Sequence, residues 1–275
     1  MTTDFPNHPI GFFDSGVGGL SAVAAFQKLN PREGIIYFGD TARVPYGSRD
    51  RETILLYAKQ DLAFILEKQV KAILVACGTV SSVALDALKY MTDLPIFGIV
   101  EAASKAALRA TRNRKVAVLA TEATVSSHAF ARELQKADSS IETLEVPCPL
   151  FVPLVENGYI APDNQISRLV AQEYLQKVQE FGADTVILGC THYPLLKAII
   201  AQIIPEMTII DSSREAACQL TAYLAENHLQ STGAMQSCFY TSGSVEQFKK
   251  VGNIFMHLEF SEHVRRVTMQ EYVRL

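Results

Sequence analysis

The 275-residue chain has no Cys-x-x-Cys pair, no long apolar run and no excess of positive charge, and its first residues do not read as a secretory leader. Each absence removes a class of protein. Five cysteines, an odd number spread through a mid-sized chain, cannot close into a full disulfide framework, so a reducing compartment is expected. A structural zinc site needs four ligands at spacings such as Cys-x-x-Cys or His-x-x-x-His, and the second pair is missing, so no metal is expected. The start, MTTDFPNHPI, carries an acid and two prolines where a secretory signal needs a basic end and an apolar stretch. Nowhere does the chain approach the roughly 18 consecutive apolar residues of a membrane span. The formal net charge is −4 and the pI near 5.9, so no overall positive field exists to hold nucleic acid or an anionic membrane surface. The expectation is a soluble cytoplasmic protein without nucleic-acid or membrane partners.

What is present is ordinary globular composition, 48% hydrophobic and 20% charged, in a chain long enough for two domains of about 150 residues. Short apolar runs bounded by Gly, Asp or Pro recur at Ile10 to Phe13, Ile35 to Phe38, Ala72 to Ala76, Ile96 to Val100, Val116 to Leu119, Thr185 to Leu188 and Thr208 to Ile210. Lacking strict polar alternation, they read as buried parallel strands. Amphipathic segments lie between them, among them Leu20 to Leu29 and Arg51 to Gln69, whose apolar residues fall near helical spacing. Strand then helix, repeated, is α/β. Two stretches match: KAILVACGTVSSVALDAL (Lys71 to Leu88) and DTVILGCTHYPLLKAII (Asp184 to Ile200) each read strand, small residue, Cys, Thr, helix. Such a repeat implies two similar α/β domains. No Gly/Ser linker separates them, so short crossings near Val100 and Ile210 are expected, giving residues 1–100 plus 210–275 as one domain and 101–209 as the other.

Cys77 and Cys190 each sit where an apolar strand ends and a helix should begin, and the carboxyl ends of strands are where open α/β sheets bind ligands. A helix N-terminus is expected to lower a thiol pKa from its ordinary value of about 8.5 and favour the anion. One buried Cys at a strand end is most often a small hydrophobe, but two at matched positions point to a nucleophile or base. His192, two residues after Cys190, has the pKa range of a general acid or a thiol-orienting group, or it makes a backbone contact at a helix end. Asp14-Ser15-Gly16-Val17-Gly18-Gly19 is a glycine-rich turn without the spacing of a nucleotide loop. Its carboxylate, hydroxyl and exposed N–H groups suit a small zwitterion, or simply cap the helix that comes next. The turn Pro45-Tyr46-Gly47 offers backbone N–H groups and one phenol to a carboxylate, or is an ordinary surface turn. Cys148, Cys218 and Cys238 are assigned to packing.

In order along the chain, DSGVGG (Asp14 to Gly19), GDTARVPYG (Gly39 to Gly47), VACGT (Val75 to Thr79), PCPLFVPLVENG (Pro147 to Gly158) and GCTHYPLL (Gly189 to Leu196) resemble the motifs of cofactor-independent glutamate racemases. The resemblance runs over nearly the whole chain. It implies two pseudo-symmetric open α/β domains with mainly parallel sheets and an active site in the cleft between them. It also implies that Cys77 and Cys190 are the acid/base thiols, that Asp14, Glu156 and His192 tune or relay protons, and that no cofactor is used. Contacts to glutamate are implied for Ser15, Pro45, Tyr46, Gly47, Gly78, Thr79 and Thr191, with Asp14 and His192 beside them. A homodimer and a role in supplying D-glutamate for peptidoglycan, hence cell-wall biogenesis and cell shape, are implied in the same way.

The chain departs from the family pattern at Gly78, where Asn is usual, at Ala102 in place of Pro, and at Ser213 in place of Gly. A hydrogen bond lost to a charged group is worth about 1.5–3 kcal/mol, so restoring Asn at position 78 is expected to tighten substrate binding. Aspartate racemisation and a non-catalytic amino-acid-binding or regulatory role are the alternatives. A Cys/His hydrolase built on Cys190 and His192 leaves the second matched thiol unexplained.

Overall fold

The structure is a computed structural model that describes residues 5–256 and 263–272; the first four residues of the start, and the parts of the expected first domain at 257–262 and 273–275, lie outside them. Among the described residues the strands are β1 Ile10–Asp14, β2 Ile35–Gly39, β3 Ala72–Val75, β4 Ile96–Gly98, β5 Lys115–Ala120, β6 Glu142–Pro147, β7 Thr185–Leu188, β8 Thr208–Asp211, β9 Cys238–Thr241 and β10 Val264–Arg266. They form two sheets, ordered β10-β9-β2-β1-β3-β4 and β6-β5-β7-β8. Every described pairing is parallel. The fold is α/β, as the alternation predicts.

The two sheets share one topology. In β2-β1-β3-β4 and in β6-β5-β7-β8 the second strand lies beside the first, the first beside the third, and the third beside the fourth. Each sheet therefore reverses direction of growth between its first and third strands, and a crevice opens there at the strands' carboxyl ends. Asp14 closes β1 and Cys77 comes after β3; Thr121 comes after β5 and Cys190 after β7. The matched cysteines of the sequence repeat thus occupy equivalent places. The chain passes from the first sheet to the second through the helix Ile99–Ala110 and returns through the helix Ser212–Glu226, which packs on it.

Parallel strands are covered on both faces, which is why their sequences read as unbroken apolar runs. Phe12, Tyr37 and Leu74 point to one side of the first sheet and pack with Leu20 and Phe26. Their neighbours Phe13, Phe38 and Val75 point to the other, against Leu62 and Ile65. The helix Leu20–Leu29 falls where expected. The helix expected to reach Gln69 begins at Arg51 behind an Asp50 cap, which accepts the Thr53 N–H at 2.9 Å, but ends at Leu66. Just beyond it, Gln69 takes φ 52°, a left-handed conformation that no helix continues through. The run Ile96 to Val100 is likewise shorter as a strand, since Ile99 and Val100 already open the next helix. Strands β6, β9 and β10 have no counterpart in the sequence reading. They lie at or near sheet edges and carry exposed or half-buried residues, such as Glu142, Glu145 and Arg265, that break an apolar run.

Cys218 corrects another expectation. It is exposed on the helix Ser212–Glu226 and packs in no core, whereas the half-buried Cys238 packs against the first sheet's core as expected. In the same helix Ser213 uses its hydroxyl, absent from the usual Gly, to bond the Ser21 hydroxyl at 2.8 Å. No described helix is long and apolar enough to cross a membrane.

One buried ion pair ties four segments together. Lys71 Nζ lies 2.6 Å from Glu33 and also donates to the carbonyls of Pro6 and Leu229, while Glu33 accepts the Ser231 N–H at 2.7 Å. Replacing one partner leaves the other charge buried and uncompensated. Lys71→Met is expected to lower unfolding free energy by about 3–5 kcal/mol, measured by urea denaturation; a loss below about 1 kcal/mol would show that Glu33 finds water.

Candidate active site

A cleft of about 390 Å³ lies at the carboxyl ends of both sheets. Its walls include Ser15, Pro45, Tyr46, Gly47, Cys77, Gly78 and Thr79 from the first sheet's loops and Glu156, Cys190, Thr191 and His192 from the second's. All the residues implied by the resemblance line it except Asp14. That carboxylate is buried beneath, 1% exposed, where Oδ1 accepts the Gly16 N–H at 2.7 Å and Oδ2 accepts the Thr191 hydroxyl at 3.3 Å.

The two halves meet around the cleft through hydrogen bonds and bare backbone. Thr79 and Thr121 share a hydroxyl bond of 3.0 Å, and Ala123 N–H donates to the Gly47 carbonyl at 2.9 Å. A Cβ at Gly18 would stand 2.4 Å from both Thr191 Oγ1 and His192 Nδ1. One at Gly47 would stand 2.9 Å from the Thr121 Cβ. At Gly78 it would stand 2.2 Å from the carbonyl oxygen of Gly189, an atom of backbone that cannot swing aside. This alters the expectation for position 78. An Asn there must displace one half from the other before its amide can reach any substrate.

Cys77 caps the short helix Gly78–Val83, with Sγ 3.5 Å from the Val80 N and its thiol donating to the Ser15 hydroxyl at 3.4 Å. The sequence leads one to expect a lowered pKa at this helix start. Burial and the nearby Asp14 carboxylate outweigh those hydrogen bonds, and the thiol is pushed up to about 12. Cys77 rests as a thiol. A six-residue helix supplies too little dipole to overcome desolvation.

Cys190 has a different neighbour. Its Sγ lies 3.8 Å from His192 Nδ1, and Glu156 Oε1 lies 3.0 Å from the other ring nitrogen. Burial alone would lower the His192 pKa, but the bonds to Cys190 and Glu156 outweigh it and hold the imidazole up at about 10. An imidazolium wedged between a thiol sulfur and a carboxylate is the form this geometry favours at neutral pH. Because its native pKa exceeds the ordinary 6.5, the charge on His192 stabilises the fold fully below about 6.5, and that contribution is lost as pH rises through about 10. The ring is pinned by an edge contact to Phe255 at 5.3 Å. No regular α-helix begins at Cys190; Tyr193–Leu196 forms a 3-10 turn containing Pro194, and the α-helix starts at Lys197.

Tyr46 requires a correction. It lines the cleft, but the residue is 1% exposed and its hydroxyl is engaged by Asp40 and Asp61. No phenol is offered to a substrate. Cys148 is fully buried, as expected of a packing residue, yet it also forms part of the cleft wall. Thr121 and Asn157 line the cleft as well and were missed; Thr121 stands at the end of β5, where the strand-end rule would have found it.

Two thiols, one near the Asp14 carboxylate and the other near the His192 imidazole, line one cleft between like halves, an arrangement suited to an enzyme that moves protons. The chain belongs to the Asp/Glu/hydantoin racemase family, whose profile matches residues 21–220. It is 42% identical over 258 residues to the glutamate racemase of Chlorobaculum tepidum, covering 92% of this chain and 94% of that one. A crystal structure of glutamate racemase from Francisella tularensis, in complex with D-glutamate, superposes with a TM-score of 0.91 at 38% identity, over 97% of this chain and 100% of that one. An aspartate racemase from Picrophilus torridus, at 18% identity and a TM-score of 0.55 over 81% of this chain and 99% of that one, shares the fold alone.

Gly78→Ala is expected to destabilise the protein by about 1–3 kcal/mol through overpacking against Gly189, and Gly78→Asn at least as much; unchanged thermal unfolding in both would show that the halves separate freely. Glu156→Gln removes one anion from His192, so the imidazole should titrate below about 10, tracked by its ring resonances in NMR. An unmoved midpoint would assign the raised pKa to Cys190 alone.

Proposed function

We propose that the chain interconverts L- and D-glutamate without a cofactor, using Cys77 and Cys190 as an acid and a base on opposite faces of the substrate α-carbon. The observation that carries this reading is the pair of thiols at equivalent strand ends of two like halves, lining one cleft. Removing an α-proton on one face and returning one on the other inverts the centre, and needs one thiolate and one thiol.

The surroundings supply that difference. Beside the His192 imidazolium, Cys190 is the sulfur placed to act as thiolate, while Cys77 is held as a thiol. In one direction the Cα–H proton passes to Cys190 Sγ, the electron pair stays on Cα, and the Cys77 S–H proton is delivered to the other face. The product leaves Cys190 as thiol and Cys77 as thiolate. That state is the starting point of the reverse reaction, and exchange with solvent restores the first: His192 gives its proton to water and takes that of Cys190, while Asp14 takes a proton from water and passes it to Cys77. Burial of both thiols, at 4% and 6% exposure, keeps water from quenching the carbanion. The hydroxyls of Ser15, Thr79 and Thr191 and the main chain of Pro45, Tyr46 and Gly47 are the groups available to hold the ammonium and carboxylates.

Residues 1–100 with 210–275 form one domain in this reading and 101–209 the other, the protein works in the cytoplasm as a homodimer, and its D-glutamate serves peptidoglycan synthesis. The identity to glutamate racemases favours glutamate over aspartate.

Incubation with L-glutamate in D₂O without added cofactor is expected to give loss of optical rotation with deuterium entering at Cα. Absence of both with glutamate and aspartate would overturn the enzyme reading, and exchange with aspartate alone would reassign the substrate. Cys77→Ala and Cys190→Ala should each lower kcat for racemisation by about 10²–10⁴-fold. Either variant retaining full racemisation would refute the two-thiol mechanism.

A further inference from the structure

Behind the Pro45-Tyr46-Gly47 turn lies a buried polar cluster that the proton transfers between the thiols do not use. Asp61, on the helix Arg51–Leu66, is 0% exposed, as is Asp40 at the end of β2. Arg43 joins them: Nε lies 2.5 Å from Asp40 Oδ2, one terminal nitrogen 2.9 Å from Asp61 Oδ1, and the other bonds the Gln60 side chain. Its guanidinium also stacks on Tyr57, 4.1 Å from the ring centroid. Asp40 Oδ1 accepts the Ser242 hydroxyl at 2.7 Å. The Tyr46 hydroxyl touches both carboxyls, in a short bond to Asp40 Oδ2 and at 3.1 Å from Asp61 Oδ2.

Proton counting decides what this row of oxygens must be. Asp40, Tyr46 and Asp61 make two oxygen–oxygen contacts, and a phenol brings one proton. With the Tyr46 proton donated to Asp40, the contact to Asp61 needs a proton from Asp61 itself. Asp40 is the carboxyl with more donors, from Arg43, Ser242 and Tyr46, so it keeps the negative charge. Two full anions against one guanidinium in a dry interior would leave one charge uncompensated. Burial first, then the Asp40 charge, push the Asp61 carboxyl well above the ordinary carboxylate range, against the pull of Arg43.

The geometry points to Asp61 as a neutral carboxylic acid whose proton is donated to the Tyr46 hydroxyl, which donates in turn to Asp40, so that this chain fixes the main chain of the substrate-binding turn. Asp61 touches no substrate and is a positioning residue. The inference rests on the reading of the cleft as a racemase site for the turn's role, whereas the protonation state of Asp61 stands independently of it. Because Tyr46 is anchored at its phenol, its own N–H and that of Gly47 are held for a carboxylate without any charged side chain in the cleft wall at that point.

The test compares Asp61→Asn, Asp61→Ala and Tyr46→Phe in steady-state racemisation of glutamate. An amide replaces a neutral acid atom for atom, its oxygen facing Arg43 and its NH₂ facing Tyr46, so Asp61→Asn should keep KM within about twofold. Asp61→Ala and Tyr46→Phe should raise KM about tenfold, the worth of one lost hydrogen bond, with kcat nearly unchanged. Asp61→Asn as damaged as Asp61→Ala would show that Asp61 works as an anion. A fall in kcat with KM unchanged, in Tyr46→Phe even if Asp61→Ala does not fold, would overturn the positioning role. Infrared difference spectra at neutral pH should show the carbonyl band of a protonated buried carboxyl in the wild type and its loss in Asp61→Asn. Absence of that band overturns the inference even in a protein that racemises nothing, and its presence in an inactive protein would fault only the functional reading.

Discussion

Where the carboxyl ends of the two sheets approach each other, Gly18, Gly47 and Gly78 meet Thr191 and His192, Thr121, and Gly189, leaving no room for a Cβ. Backbone lies against side chain or backbone at all three places. Close approach of this kind puts polar groups of one half within bonding range of the other, as in the Asp14 to Thr191 and Thr79 to Thr121 contacts. The cleft depends on it, because the proposed reaction needs one sulfur from each half close to the same substrate atom, and rigid sheets can deliver that only by meeting. Gly78 belongs to this contact. Its place beside Gly189 leaves no room for a side chain where the two cysteine loops meet.

A dry cleft exacts a cost in buried charge, and the protein offsets it locally each time. Asp14 is burdened by burial, which raises its pKa, and steadied by the His192 charge and by N–H and hydroxyl donors. His192 is steadied by Glu156, which keeps part of its own carboxylate in solvent, 37% exposed. Asp40 takes Arg43. Each compensation is a hydrogen bond or a nearby opposite charge supplied by a residue beyond a strand end, so the electrostatics follow from the topology.

Much of this was legible in the sequence. Seven strands stood out by their apolar runs, five of them buried, since parallel strands covered on both faces carry such runs unbroken, and two, β4 and β8, at sheet edges; the two cysteines stood out because they come after such runs at matched positions. Edge strands such as β6 and β10 were hidden, since a strand with one wet side need not be apolar. The direction of the Cys77 shift was hidden for another reason: a helix start is visible in sequence, but burial beside Asp14 is not. The same gap concealed Asp61, a carboxyl that the sequence shows only as one acid within an amphipathic helix. Tyr46 was placed in the correct turn with its side chain on the wrong side, because a turn's sequence does not say which way its ring points.

Like topology does not give like chemistry. Both cysteines stand just beyond the third strand of their sheet's common core, but the residues after them differ. Next to Cys77 is Gly78, small enough to admit Gly189, and the nearest charged group is the Asp14 carboxylate, which opposes ionisation. Next to Cys190 are Thr191 and His192, leading directly into the 3-10 turn at Tyr193–Leu196, with the imidazole 3.8 Å from the sulfur. One thiol therefore sits by a negative charge and the other by a positive one. The proposed two-thiol reaction, working in both directions, needs two sulfurs that exchange roles, and it also needs them to begin unequal, since two thiols cannot remove a proton and two thiolates cannot return one. The pseudo-symmetric fold provides the pair, and the few residues after each strand provide the inequality.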